Sequence, residues 1–217
     1  MKKQISLLLM LMLCIGLNLR AQIPAEVKAV MEKCNAAMDN PKGMELDMQL
    51  HMGMAIVSAN GFLKMYMKGE KMLTRGQMKA LGQTVNMESG FDGVQEWDYE
   101  SELGSKAKDT LTIKKVTKKS KGDFDLDFNL DKEYKTAKMK VVKNRFYEIT
   151  FSQPLSKENP KTSVMVIDKN NFTLHEMRAK MGMASLRLTI NKIKVGVADN
   201  VFTLNMARFP NAVVVRK

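Results

Sequence analysis

The sequence is poor in the residues that carry most catalytic and metal chemistry. Of its 217 residues, only two are cysteine, two are histidine and one is tryptophan. His51 and His175 lie in strand-like segments, without the carboxylate or nucleophile pattern of a catalytic triad. P-loop, dinucleotide-binding, Gly-x-Ser-x-Gly and His-Glu-x-x-His motifs are absent. We therefore expect no enzymatic activity, no catalytic residues, no cofactor and no metal site.

The amino-terminal residues have the layout of a secretory signal peptide. Lys2 and Lys3 precede the apolar run Ile5–Leu19, and Ala21 is a small residue suited to the cleavage position. The run is too short to favour a transmembrane span. The Leu-Met-Leu before Cys14 lacks the small residue expected of a lipobox. We predict that residues 1–21 are removed on export and that residues 22–217 form a single domain.

Cleavage would leave Cys34 as the only cysteine, which excludes an intramolecular disulfide. Cys34 lies within Pro24–Met38, where apolar residues recur at spacings of three and four. This spacing predicts an amphipathic helix with Cys34 on its apolar side. A buried, unreactive thiol is the expected state.

The formal net charge of +12 is clearly basic. Such a charge favours anionic lipid headgroups or an acidic partner. Lysines on solvated strand faces are the simpler explanation, because lysine also protects sheet edges from aggregation. Nucleic acid is not an expected ligand, since no reading motif or ribbon of basic and aromatic residues is present.

After the helix, the chain alternates between apolar and polar residues. In Met44–Met52 every even position is Met or Leu, and the odd positions are Glu, Asp, Gln and His. A period of two is typical of a strand with one buried face. Similar runs separated by Gly and Asn turns predict an antiparallel meander of about ten strands, ending in strand-like segments around Phe202–Met206 and Val213–Val215.

Residues 123–135 fit both a strand and a short helix. Acidic residues alternate with Phe and Leu over Asp123–Asp131, which raises the possibility of a calcium loop. That loop needs glycine at its sixth position, which is missing here, so a solvated acidic face is the better interpretation. The assignment as helix or strand stays open.

The strand pattern predicts a mainly β protein with one large apolar sheet face to cover. A single 15-residue helix cannot cover it flat. The sheet therefore either curls into an incomplete barrel plugged by the helix or pairs with a second sheet as a sandwich. Methionine favours the barrel, because flexible thioethers suit a surface that accepts variable apolar shapes. An ordinary methionine-rich core is the alternative.

Two motifs resemble those of the LolA-like periplasmic lipoprotein carriers. Phe91–Tyr99 is similar to the family's Asp-Gly-x-x-x-Trp-x-Tyr, and Phe202–Pro210 followed by valines is similar to its Phe-x-Phe-x-x-Pro ending. The resemblance covers the whole predicted mature chain. It implies an incomplete antiparallel barrel, with the amino-terminal helix and a short second helix as a lid, and a monomeric periplasmic carrier of lipoprotein acyl chains or lipid. It also implies transfer proteins at the inner and outer membranes.

The resemblance also suggests site residues and one departure. The family's Arg-Pro pair near the third strand, whose arginine latches the lid, is replaced here by Lys68-Gly69. Lys68 or Arg75 is the candidate substitute. The predicted ligand-binding residues are those expected on the apolar wall: Met48, Leu50, Met52, Met65, Met67, Met72, Met87, Trp97 and Tyr99.

Two functions from different classes are compatible with these observations. The first is a carrier that shields acyl chains in a methionine-lined cavity. The second is an envelope interaction protein with the same fold, in which side chains fill the interior and another surface binds a protein or lipid-surface partner. An open or a filled interior distinguishes the two.

Overall fold

A computed structural model of the protein describes residues 23–54, 57–101, 109–116 and 130–217. The predicted signal peptide and residues 123–129 of the ambiguous acidic segment lie outside them. The rest of that segment forms a 3-10 turn at Leu130–Lys132 and the start of a strand at Tyr134. No helix in the described ranges is long and apolar enough to cross a membrane.

One helix, α1 (Ala25–Met38), precedes twelve strands. The strands are β1 (Met44–Met54), β2 (Val57–Lys68), β3 (Lys71–Ala80), β4 (Gln83–Phe91), β5 (Gln95–Glu100), β6 (Thr110–Lys115), β7 (Tyr134–Val142), β8 (Phe146–Pro154), β9 (Thr162–Asp168), β10 (Leu174–Met181), β11 (Ala184–Val195) and β12 (Val213–Arg216). The mainly β architecture predicted from the sequence is confirmed.

All twelve strands belong to one curved sheet, ordered β12-β6-β5-β4-β3-β2-β1-β11-β10-β9-β8-β7. Two antiparallel meanders, β1–β6 and β7–β11, meet where β1 pairs with β11. β12 runs parallel to β6 at one edge. The sheet does not close, so the incomplete barrel expected from the sequence is confirmed and the two-sheet sandwich is wrong.

The two faces of the sheet carry separate cores. The inner face, defined as the face covered by α1, buries Val27, Met31 and Cys34 of the helix against Leu46 and Met48 of β1. The outer face is covered near β3–β6 by residues 197–212. β3 therefore carries buried side chains on both faces, Met72 on the inner face and Leu73 on the outer face, although only one α-helix is present in the described chain.

The segment before β12 corrects one sequence prediction. Phe202–Met206 was expected to continue as a strand, but 3-10 turns form at Asp199–Phe202 and Met206–Arg208. Asn205 favours the second turn because its side-chain oxygen accepts a hydrogen bond from the Ala207 amide at 3.0 Å. Phe202 and Phe209 are still buried, but on the outer face.

Candidate functional site

A cavity of about 600 Å³ opens on the inner face, over β1–β5 and β11. This volume lies within the range of pockets that hold small-molecule ligands. Its apolar lining consists of Met48, Leu50, Met52, Leu63, Met65, Met78, Met87, Leu186 and Leu188. All nine project to one side because they share a face in the strand register.

The register explains why methionines gather here. Met48 of β1 lies opposite Leu63 of β2, and Met87 of β4 lies opposite Gly76 of β3. A Cβ at Gly76 would lie 2.3 Å from a methyl carbon of Leu63, so the position requires glycine. The Leu63 side chain occupies the space that a side chain at position 76 would need, and Leu63 and Met87 both border the cavity.

The predicted ligand-binding residues divide into three groups. Met48, Leu50, Met52, Met65 and Met87 border the cavity. Met67 and Met72 lie on the inner face and pack into its core, away from this cavity. Leu63, Met78, Leu186 and Leu188 also border the cavity and were not among the predicted site residues, although their apolar alternation was visible in the sequence.

Trp97 and Tyr99 lie elsewhere than predicted. Both side chains belong to the outer-face core, where the Tyr99 ring is 4.6 Å from that of Phe209. Tyr99 touches the cavity border as well, but its hydroxyl donates to Asp109 Oδ2 at 2.7 Å. Burial, with this hydrogen bond, raises the pKa of Tyr99 to about 12. Trp97 and Tyr99 face outward because residues 202–209 cover the outer side of β5 with aromatic rings.

The alternate residues of β5 face the cavity instead. Asp98 and Glu100 border it, with Ser89 of β4 opposite Asp98. Asp98 and Glu100 form no ion pair within the described part of the chain. One wall of an otherwise apolar cavity is therefore acidic.

Within the described residues, the bonds that Lys68 forms do not involve helix α1. Its Nζ lies 3.0 Å from Oδ2 of Asp199 and 3.4 Å from the Val197 carbonyl oxygen. Lys71 contacts the same Asp199 carboxylate at 3.3 Å. These contacts, and the hydrogen bond from Lys68 above all, lower the pKa of Asp199. Lys68 thus fixes the segment after β11 to the β2–β3 hairpin.

Arg75 also lies on the outer face. Its Nε is 3.1 Å from Oε2 of Glu88, a carboxylate only 3% exposed. Trp97 Nε1 donates to Oε1 of the same carboxylate at 3.2 Å. The structure thus places both latch candidates, Lys68 and Arg75, on the side opposite α1, where their ion pairs join strands and residues 197–212.

The remaining polar candidates show no reactive arrangement. His51 Nδ1 lies 2.7 Å from the Asn60 side-chain oxygen at the surface, and the His175 ring stacks on Phe146. Burial raises the pKa of the Cys34 thiol to about 12, so the thiol stays protonated at neutral pH. Among the described residues, no group of three or more potential metal ligands occurs.

Comparisons with known proteins bear on the fold. The sequence matches no family model and no curated protein. An uncharacterised conserved protein from Thermus thermophilus is 11% identical, over 88% of this chain and 99% of its own, with a TM-score of 0.50. Lipoprotein LppX from Mycobacterium tuberculosis is 12% identical, over 78% of this chain and 96% of its own, also with a TM-score of 0.50.

A LolA superfamily protein from Nitrosomonas europaea is similar over 82% of this chain and 97% of its own, at 10% identity and a TM-score of 0.32. Identities this low concern the fold alone. At the level of the fold alone, the neighbours are consistent with the LolA-like resemblance stated from the sequence. None of the three names describes an enzymatic activity.

Proposed function

We propose that the protein binds the acyl chains of lipoproteins or lipids in the inner-face cavity and carries them across the periplasm toward the outer membrane. The observation that carries this proposal is the cavity itself, whose lining includes five methionines and four leucines. Flexible, polarizable methionine side chains adapt to chains of different shape. The predicted signal peptide and the resemblance to lipoprotein carriers support the same cellular location.

The energetics suit a carrier that must also release its load. Burial of acyl chains contributes about 0.8 kcal/mol per CH₂ group. A segment of about ten CH₂ groups would gain roughly 8 kcal/mol before the entropic cost of association is subtracted. Binding of this strength needs no covalent chemistry. Release of the load then depends on transfer proteins at the two membranes. The carrier acts as a monomer.

The test uses protein purified from the periplasm and a fluorescent acyl probe with an uncharged head group. Met78→Trp should fill part of the cavity and lower the affinity for the probe at least fivefold. Gln77→Trp is the matched control, because Gln77 is the preceding residue in β3 and is exposed on the outer face. Lipid extraction and mass spectrometry should identify acyl chains in the unmodified protein. Protein free of lipid that also takes up no probe would contradict the proposal.

A second candidate function rests on a different surface. Phe62 of β2 is 67% exposed on the outer face and borders two depressions, one lined by His51 and Arg187 and the other by Lys64 and Lys192. An exposed aromatic ring with basic neighbours suits a protein partner. Phe62→Ser would abolish partner capture and leave probe uptake unchanged if this surface acts independently of the cavity.

A further inference from the structure

The charge of the cavity lining is opposite to that of the protein. The chain carries a formal net charge of +12, yet the described residues bordering the cavity include three carboxylates and no lysine or arginine. Arg75 and Arg208 neutralise one of them, Glu88, from the outer face. Asp98 and Glu100 have no such partner in the described chain.

These two carboxylates occupy one end of the cavity. They lie on β5, whereas Leu186 and Leu188 at the other end lie on β11, five strand spacings away in the sheet order. At about 4.8 Å per strand, this separation is roughly 24 Å along the sheet. The methionines of β1–β4 lie between the two ends. The cavity therefore has an acidic end and a long apolar floor.

A row of polar residues extends from the acidic end of the cavity toward its apolar floor. Thr74, Ser89 and Asp98 lie directly opposite one another in successive strands of the inner face. Thr74 is 1% exposed, and its hydroxyl has no hydrogen-bond partner in the part of the chain that the structure describes. Thr74 does not itself border the cavity, but its cross-strand neighbours Met65 and Ser89 do. A polar head group beside Asp98 would therefore lie close to an unpaired buried hydroxyl, which is costly to leave unmatched.

Lys114, a basic residue in this part of the sheet, does not neutralise the negative charge at the acidic end of the cavity. Lys114 of β6 lies opposite Glu96, which is buried beside the core. Lys114 does not border the cavity, and neither does Glu96. The negative charge that a ligand would meet comes from Asp98 and Glu100.

We infer that the ligand of this site is an amphiphile with a positively charged head group, such as a primary ammonium. Its apolar chain lies over the methionine floor and its head group lies against Asp98 and Glu100. This inference rests on the proposed function and adds the chemical class of the ligand to it. It also implies discrimination: an anionic head group would meet two unpaired carboxylates of like charge.

The experiment compares three twelve-carbon probes below their micellar concentrations: dodecylammonium, dodecanol and dodecyl sulfate. Each displaces the uncharged fluorescent acyl probe, so the three affinities come from one assay. Dodecylammonium should bind at least tenfold more tightly than dodecanol, and dodecyl sulfate more weakly than dodecanol. Added salt should reduce the difference, because it screens charge and not chain burial.

The Asp98→Asn/Glu100→Gln variant should bring the three affinities within about threefold of one another. Glu32→Gln/Glu70→Gln is the control, with the same change in net charge at exposed positions of α1 and the β2–β3 turn. Circular dichroism verifies that both variants fold. Equal binding of all three probes by the unmodified protein, or preference for the sulfate, would overturn the inference and leave the proposed function in place. No binding of any probe would overturn both.

Discussion

Nη1 of Arg208 lies 2.6 Å from Oε2 of Glu88. This ion pair connects the carboxyl-terminal segment to β4 beneath the outer-face core. Glu88 is also bonded to Arg75 and Trp97, so one carboxylate joins three separate parts of the chain. The same outer-face core includes Phe202 and Phe209 of the carboxyl-terminal segment.

Glu88→Gln should lower the free energy of unfolding by about 2–3 kcal/mol, because it leaves two arginines without their buried partner. The loss should stay below that of a fully buried pair, since both arginines keep part of their side chains in water. Urea denaturation followed by circular dichroism measures it. Glu70→Gln, at an exposed turn position, should change stability by less than 0.5 kcal/mol, a magnitude usual for surface sites. Equal effects of the two substitutions would contradict the role of Glu88.

Gly90→Ala should disrupt the packing of Trp97. A Cβ at Gly90 would lie 2.2 Å from Cζ2 of the indole ring, which is fully buried and has no room to move away. Overpacking of this kind costs about 1–3 kcal/mol or more. Trp97 is the only tryptophan in the chain, so its fluorescence should report the displacement directly.

Gly69→Asn is the comparison for Gly90→Ala. Gly69 has a φ of +55° and open space at its Cβ position, a conformation that asparagine tolerates. This variant should keep the native fluorescence spectrum and lose little stability. An unchanged spectrum in Gly90→Ala would show that the indole keeps its environment and would contradict the predicted displacement of Trp97.

The buried Asp168 should make stability depend on pH in the acid range. Hydrogen bonding from the Asn170 amide, with the Arg145 side chain and the charge of His175, lowers the pKa of Asp168. A lowered folded-state pKa contributes stability above the unfolded value of about 3.9, and this contribution is lost as the pH falls below it.

Asp168→Asn should therefore reduce stability by about 1.5–3 kcal/mol at pH 7, the range for hydrogen bonds to charged groups. The difference from the unmodified protein should shrink between pH 5 and pH 2, where the native carboxylate also becomes protonated. Denaturation midpoints over this range measure the effect. A difference that is constant with pH would show that Asp168 acts through packing alone.

Cys34 should react with thiol reagents only when the protein unfolds. Its side chain lies on the buried side of α1 and is fully buried. Its raised pKa keeps the thiolate population negligible at neutral pH. In a Cys14→Ser background, labelling should be slow in buffer and rapid in denaturant, with the rate following the unfolded fraction. Rapid labelling under native conditions would indicate that α1 detaches from the inner face.

The alternation in the sequence predicted well which residues are buried. It predicted less well on which face of the sheet they lie. Met48, Leu50 and Met65 lie on the inner face as expected, because β1 and β2 have one polar side. Trp97 and Tyr99 share the same alternation but face outward. A period of two identifies two sides of a strand and cannot say which side meets which core. The answer depends on residues 202–209, more than a hundred positions later in the chain.

The same limit explains the acidic end of the cavity and the positions of Lys68 and Arg75. Asp98 and Glu100 look like solvated residues in the sequence because their apolar neighbours appear to define the buried side. Lys68 and Arg75 find partners at Asp199 and Glu88 only once the carboxyl-terminal segment crosses the outer face. Contacts between distant segments depend on topology, which local patterns do not contain.

The pairing of β1 with β11 also limits the order in which the parts of the molecule can fold. The register joins Met44 to Val195 and Met54 to Ala184, so the centre of the sheet links residues that are synthesised at opposite ends of the chain. Such non-local pairings slow folding, because the entropy of closing a long loop is lost before the contacts form. The two hairpin meanders can each form early. The floor of the cavity spans both of them, so it can only assemble after nearly all of the chain has been made.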